Sequence, residues 1–253
     1  MSPTPPPPPP TTAAPAPAPS APPTAEPWDC WRDGERRPAW NMAADEALLE
    51  TAAARGRPLL RLYGWETAAV TIGYPQPHAA APAGWIAIRR PTGGGVVYHD
   101  HDVTYTVVVP AGHWLTGTDR LQSYAFINRA VLAGLERLAI AGSLAREDIP
   151  GHIDRRTMVC FTTPTRYDIL AGDRKLAGSA QRRTRHGILH QGSIHFGGPA
   201  PLPREEIRAA VVDGFRRAAG ARFEPFTPGP ELLALAARLE AERYGTDAWN
   251  RRK

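Results

Sequence analysis

The order of the periodic segments constrains this chain most. Between residues 59 and 109, five short runs rich in Val, Ile, Tyr and Trp follow one another: 59–65, 68–72, 85–89, 96–99 and 103–109. β-Branched and aromatic residues in runs of this length, separated by turn residues, read as strands. A helical repeat follows over residues 119–141, where Leu121, Tyr124, Asn128, Val131, Leu132, Leu135 and Leu138 recur at helical spacing. Thr118 or Asp119 can cap it, and Gly142 can end it. Upstream, residues 28–32 read as a strand with a turn at Asp33-Gly34. A helix then follows, with Asn41 as N-cap, Asp45 and Glu46 in its first turns, and an end near Gly56 before Pro58. Downstream, strands at 167–170 and 174–179 flank a turn at 171–173, a further strand covers 188–196, and helices cover 202–219 and 231–244. Strands and helices intermingle without alternating, which fits an α+β fold of mixed sheets flanked by helices rather than a doubly wound sheet.

Composition shifts once. Residues 1–27 hold 13 of the 28 prolines and one charge, Glu26. Such text has few side chains to bury and favours polyproline II or disordered chain, as a tether or as the product of a misplaced start codon. The folded domain is expected to span residues 28–253. No stretch approaches 18 consecutive apolar residues, so no membrane helix is expected. The start lacks the basic flank and apolar run of a secretory signal. Two cysteines are too few for a disulfide framework, and a reducing cytoplasm is the default. The formal charge is +5, but the arginines are mostly dispersed and no nucleic-acid-binding signature accompanies them. Acidic protein partners therefore fit better than nucleic acid.

Two motifs carry candidate chemistry. Residues 89–100 read R-R-P-T-G-G-G-V-V-Y-H-D. Three consecutive glycines let main chain approach a ligand and offer N–H donors, although a plain hairpin loop has the same composition. No Lys-Ser/Thr follows, so this is not a P-loop. The second motif lies in residues 160–196, which hold Cys160 and Lys175, one of only two lysines in a chain that otherwise carries positive charge on arginine. An ammonium is a compact charge that guanidinium does not replace, and a thiol beside one becomes a nucleophilic thiolate. Cys160 also sits in an apolar run, where a small buried hydrophobe is the plainer reading. Cys30 is expected to be a buried, dispensable strand residue. His99, His101 and His190 have no recognised metal-ligand spacing, so no metal is expected.

These motifs, together with N-M-A-A-D-E-A-L-L at 41–49, R-L-Y-G-W at 61–65 and K-L-A-G-S-A-Q-R-R at 175–183, resemble the family that joins biotin ligases, lipoate–protein ligases and octanoyltransferases. The resemblance runs from Trp28 to about Asn250. It implies a biotin/lipoate ligase-like catalytic domain in which the glycine-rich loop and the Lys-Gly-Ser segment clasp a medium-chain acyl group. Arg90, Thr92, Gly93, Gly94, Gly95, His99, Gly178 and Ser179 would bind substrate, with Cys160 and Lys175 catalytic. The H-D-H-D-V-T-Y-T-V text at 99–107 and a cysteine fifteen positions before Lys175 look like LipM-type octanoyltransferases. That branch implies transfer of octanoyl from acyl carrier protein to a lysine of a lipoyl domain, such as glycine cleavage H protein, with no nucleotide or other cofactor. Gly95 is more ligase-like, and Gln191 stands where the family often has His. His190 is one residue earlier, on the other face of a strand, and is given no role. An ATP-dependent lipoate ligase and a non-enzymatic module binding a lipoyl domain or acyl carrier are the alternatives.

Overall fold

The computed structural model describes residues 25–147 and 164–252. In chain order the elements are β1 (Glu26–Arg36), α1 (Pro38–Glu50), α2 (Ala52–Arg55), β2 (Leu59–Trp65), β3 (Ala69–Ile72), β4 (Ile86–Arg89), β5 (Val97–His99), β6 (Val103–Pro110) and α3 (Arg120–Arg137). They continue with β7 (Ser143–Leu144), β8 (Ile169–Ala171), β9 (Arg174–Thr184), β10 (Gly187–Ile194), α4 (Arg204–Ala218), β11 (Ala221–Pro225), α5 (Pro230–Leu239) and α6 (Asp247–Asn250). Eight strands form one mixed sheet in the order β11-β1-β2-β6-β10-β9-β8-β7, and three form a second, β4-β3-β5. This is the α+β arrangement expected. No helix among the described residues is long and apolar enough to cross a membrane.

Alternation along the central strands sorts side chains between two cores. Leu60 and Leu62 of β2, Val103, Tyr105 and Val107 of β6, and Ile188 and Ile194 of β10 face α3 and α4, joining Ile127, Val131, Val211 and Phe215. Leu59, Val108 and Leu189 face the other way, onto Met42, Ala47 and Leu48 of α1 and Leu232 and Leu239 of α5. The small sheet has its own core of Val70, Ile72 and Val96.

Helices α3 and α4 cross at two glycines. A Cβ on Gly134 would stand 2.3 Å from the Ala210 carbonyl oxygen, and one on Gly214 would stand 2.0 Å from that of Ala130. The main chains touch there, which only glycine allows.

Several boundaries differ from expectation, each for a local reason. Helix α1 starts at Pro38, with proline in its first turn and no side-chain cap. Asn41 is therefore inside the helix, donating from Nδ2 to the Gly64 carbonyl at 2.9 Å. Asp45 and Glu46 lie mid-helix and are held by tertiary partners rather than by the helix dipole. Helix α3 begins as expected, on a reciprocal capping box between Asp119 and Gln122. It ends before Gly142, where Ala139 takes a left-handed φ of 56°. Tyr167, at φ 71°, cannot continue a strand, so β8 starts at Ile169. Strands β7 and β11 were not legible in the sequence, and β1 already includes Glu26 and Pro27.

On β10, His190 is buried on the α3 side, 6.4 Å from the Tyr105 ring and 5.0 Å from that of Tyr124. Burial drives its pKa down from 6.5 to about 3, and its Nε2 has no hydrogen-bond partner among the described residues.

Two predictions follow from this packing. In a helix interior Gly→Ala ordinarily stabilises by about 1 kcal/mol, but Gly214→Ala should destabilise by about 1–3 kcal/mol in chemical denaturation because a methyl meets backbone there. An unchanged or raised midpoint would show that the helices part without cost. His190 stays neutral when folded and protonates when unfolded, so its contribution is complete above pH 6.5 and declines as pH falls toward 3. Between pH 6.5 and 4.5, above most carboxylate titration, the wild type should lose about 1.4 kcal/mol per pH unit more than His190→Phe. Parallel stability–pH curves would refute this.

Candidate active site

The cavity that carries the expected substrate residues lies on the α1 face of the large sheet, where the small sheet takes over from α1 as the cover. Its atom-free space, about 370 Å3, runs into open solvent. Its walls come from Met42 of α1, Tyr63 and Trp65 of β2, Thr71 of β3, Val97 and His99 of β5, Thr104 of β6, and β9 and β10 at residues 178–180 and 191–193, with Arg90 at the glycine-rich loop.

A buried carboxylate, Asp45, ties these walls together. Asn41 and Asp45 share a helix face at i and i+4, turned toward β2. Arg61, fully buried, donates from Nη1 to Asp45 Oδ1 at 2.7 Å and from Nη2 to Asp33 Oδ2 at 2.6 Å. It also donates to the main-chain oxygen of Asn41 at 2.9 Å and lies 4.0 Å from the Tyr63 ring centre. Burial would lower the Arg61 pKa, but Asp45 and Asp33 outweigh it and raise it. The other oxygen of Asp45 accepts from Thr106 Oγ1 and Gln191 Nε2, both at 2.7 Å, and from the Tyr63 hydroxyl at 3.1 Å. Burial, then the Asp45 charge, pushes the Tyr63 pKa well up, so the phenol stays a neutral donor. Gln191 in turn accepts from Thr92 Oγ1 at 2.7 Å, which brings the network to the glycine-rich loop.

That loop is clamped by Arg90. Its Nη2 donates to the carbonyls of Gly93 at 2.5 Å and Gly95 at 2.7 Å, and its Nη1 to the Thr71 carbonyl at 3.1 Å. Gly94 has φ 87°, and a Cβ there would meet Arg90 Nη2 at 2.9 Å. A Cβ on Gly73 would stand 2.0 Å from the Gly94 carbonyl oxygen, so the 73–74 turn and the loop nest main chain to main chain.

A second carboxylate, Asp102, gathers the polar side chains of the cavity. Its Oδ2 accepts from Thr104 Oγ1 and Ser193 Oγ at 2.7 Å and pairs with His99 Nδ1 at 2.8 Å. Burial alone would raise its pKa. The adjacent His99 and these hydrogen bonds prevail and hold it below the usual carboxylate value. The other nitrogen of His99 meets Thr71 Oγ1 at 2.9 Å, and its ring stacks on Trp65 with centres 3.9 Å apart. With their polar atoms turned onto Asp102, Thr104 and Ser193 leave mainly carbon to face the cavity, which suits an apolar guest.

Lys175 is buried on β9 and forms an ion pair with Asp168 at 2.7 Å, Nζ to Oδ2. The same Asp168 oxygen accepts from the Thr165 main-chain N–H at 2.6 Å and hydroxyl at 2.9 Å. In a regular strand, residues 175 and 178 would face opposite ways. Here Ile169 pairs with Ala177 while Leu170 pairs with Lys175, so a bulge at Leu176 shifts the strand by one residue. Lys175 consequently crosses Gly178: a Cβ there would stand 2.3 Å from Lys175 Cε and 2.6 Å from Nζ. The ammonium is thus brought against a wall of the cavity.

Of the expected residues, Arg90, His99, Gly178 and Ser179 line the cavity, Lys175 lies behind Gly178, and Thr92 holds the glycine-rich loop to β10. Ser179 contributes main chain only, because its hydroxyl is engaged by Asn128 Nδ2 of α3 at 3.2 Å, on the far face. Gly93 and Gly95 give their carbonyls to Arg90. Cys160 lies outside the described residues. Cys30 is half-buried in β1, where burial raises its thiol pKa. Sequence reasoning missed Asp45, Arg61, Asp102, Asp168, Gln191 and Ser193 as site builders, although all six lie within the motifs read above. Among the described residues, no group of three or more His, Cys, Asp or Glu side chains could hold a metal ion.

Comparison with known proteins places this geometry. Residues 37–211 match the model of the lipoyl protein ligase A/B catalytic domain. An octanoyltransferase LipM of Kyrpidia tusciae is 33% identical, with 89% of this chain and 99% of the relative covered. The octanoyltransferase LipM of Bacillus subtilis is 29% identical, with 89% and 98% covered. Among solved structures, a lipoate-protein ligase A bound with ATP superposes with a TM-score of 0.74 at 23% identity, covering 90% of this chain and 99% of that one. The bi-partite lipoate protein ligase of Thermoplasma acidophilum gives 0.69 at 20% identity, covering 90% and 96%. The match over most of the folded chain, on a shared fold, shows that this protein belongs to the lipoyl protein ligase A/B catalytic-domain family.

Proposed function

We propose that this chain is a protein N-octanoyltransferase of lipoate biosynthesis. It moves octanoyl from acyl carrier protein to a lysine of a lipoyl domain, such as glycine cleavage H protein, through a thioester on Cys160. The supporting observation is that relatives matched over nearly their whole length, 33% and 29% identical, are octanoyltransferases of the LipM type. The carbon-walled cavity beside a buried lysine suits the same chemistry.

The reaction exchanges bonds of similar energy. Cys160 thiolate attacks the carrier thioester; a new C–S bond forms, the carrier's C–S bond breaks, and the departing carrier thiolate takes up from solvent the proton that the Cys160 thiol had released. The amine of the incoming lysine then attacks the enzyme thioester. A C–N bond forms, the C–S bond breaks, and the proton shed by nitrogen returns to sulfur. The carbonyl arrives activated, so neither nucleotide nor metal is consumed. Lys175, held as ammonium beside Asp168, stabilises the thiolate and polarises the carbonyl. Main-chain N–H groups at Gly93, Gly94 or the Cys160 loop stabilise the oxyanion, a donor of this kind being worth about 3 kcal/mol. Both protein partners are expected to be acidic, which suits a chain of formal charge +5 working in the cytoplasm, with no nucleic-acid or membrane partner. The competing reading is an ATP-dependent lipoate ligase, the activity named for its fold neighbours.

Incubated with octanoyl carrier protein and no nucleotide, the enzyme should gain one octanoyl mass, mapped to Cys160, and Cys160→Ala should abolish both adduct and transfer. Absence of the adduct would overturn the thioester mechanism, and ATP-dependent transfer that survives Cys160→Ala would establish the ligase reading instead. Gly178→Ala probes Lys175 without removing it, since the methyl must displace Lys175 Cε and Nζ. Octanoyl transfer should fall about 100-fold, the usual cost of misplacing a catalytic group by an ångström. Wild-type kinetics in Gly178→Ala would detach Lys175 from the chemistry.

A further inference from the structure

The C-terminal turn at residues 249–252 is far along the chain from every motif discussed above, yet it is bonded to the strand that leads into the glycine-rich loop. Arg89, the last residue of β4, is the joint. Its main-chain N–H donates to Asn250 Oδ1 at 2.9 Å, and its carbonyl accepts from Trp249 Nε1 at 2.9 Å. Its guanidinium donates to the Asn250 carbonyl at 3.0 Å and the Trp249 carbonyl at 3.2 Å. The remaining arm of that guanidinium spans the next turn, donating to the carbonyls of Gln76 at 2.5 Å, Tyr74 at 3.1 Å and Gly73 at 3.3 Å. Arg252 covers the joint, with its guanidinium 4.0 Å from the ring centres of both Tyr74 and Trp249.

The 73–76 turn is the surface on which the glycine-rich loop rests. The Tyr74 N–H donates to the Thr92 carbonyl at 2.8 Å, and Gly73 nests against Gly94 so closely that a Cβ would overlap its oxygen. The C-terminal turn therefore holds Arg89, Arg89 holds the 73–76 turn, and that turn holds residues 92–94, which Arg90 and Gln191 tie to the cavity wall. Asn250 is anchored from behind, its Nδ2 donating to the carbonyls of Tyr244 at 2.8 Å and Thr246 at 3.0 Å.

We infer that Trp249 and Asn250 are positioning residues for acyl binding: they latch the glycine-rich loop through Arg89 without touching substrate. The latch is a statement about the loop, and only its kinetic consequence rests on the octanoyl-transfer reading. The two are tested separately on the full chain. In Asn250→Ala, hydrogen–deuterium exchange at residues 73–76 and 92–95 should quicken about fivefold or more while α3, α4 and the large sheet keep their protection. KM for octanoyl carrier protein should rise by a similar factor, with kcat within about twofold. Trp249→Phe, which keeps the ring and removes one donor, should shift both readouts in the same direction by less, and it decides the matter if Asn250→Ala does not fold. Unchanged exchange at 92–95, or acceleration spread evenly over the molecule, would overturn the latch. Faster loop exchange in a protein that transfers no octanoyl would leave the latch standing and defeat the functional reading alone.

Discussion

The Asp45–Arg61 contact is the interaction from which the cavity is built. Both side chains are fully buried, and removing two charges from water costs more than a lone ion pair returns. The arrangement is tolerable because the charges are balanced and the lone pairs filled. Asp33 adds a second carboxylate on Arg61, and Arg36 reaches Asp33 at 2.9 Å to restore neutrality. Asp45 Oδ2 then accepts from Tyr63, Thr106 and Gln191, so both carboxylate oxygens have donors. Such a network adds little stability over a packed apolar core. What it supplies is register: α1, β2, β6 and β10 can be satisfied together only in one relative placement, and through Gln191 and Thr92 that placement extends to the glycine-rich loop.

The same logic explains how a wall rich in Thr, Ser, His and Gln can present an apolar surface. Those side chains are polar in composition but not in what they present, because Asp102 draws the hydroxyls of Thr104 and Ser193 and one nitrogen of His99 inward. Stacking of His99 on Trp65 keeps the imidazole flat against the wall. Asp102 therefore shapes an apolar surface without contributing any apolar atoms to it. Its lowered pKa reflects how completely the surrounding donors compensate its burial.

Much of this was legible in the sequence where local signals act alone. The runs that became β2 and β6 kept nearly their expected bounds, and the Asp119 cap of α3 was readable because its partner is three residues away. The illegible parts are those decided by distant partners. Asn41 has the composition of an N-cap, but Pro38 had already started the helix, and the Asn41 amide was claimed by Gly64. Strand β11 is short and polar and exists because β1 offers it a parallel edge. Of the site, the motif residues could be named from text, whereas Asp168, the ion-pair partner of Lys175, could not be singled out by spacing.

The bulge at Leu176 shows why the Lys-Leu-Ala-Gly-Ser text was informative before its geometry was. Three-residue spacing on a strand should separate the ammonium from the glycine, yet the two are in contact, because one skipped pairing rotates Lys175 onto the Gly178 side. The glycine is then needed for what it lacks: any side chain would occupy the space that the lysine crosses. Asp168, fixed by two bonds from Thr165, is buried against Lys175 and pairs with it at 2.7 Å. Under the proposed reaction, the proton shed by the incoming amine leaves on the departing sulfur. In that proposal Lys175 serves both half-reactions, steadying sulfur whenever it is negative.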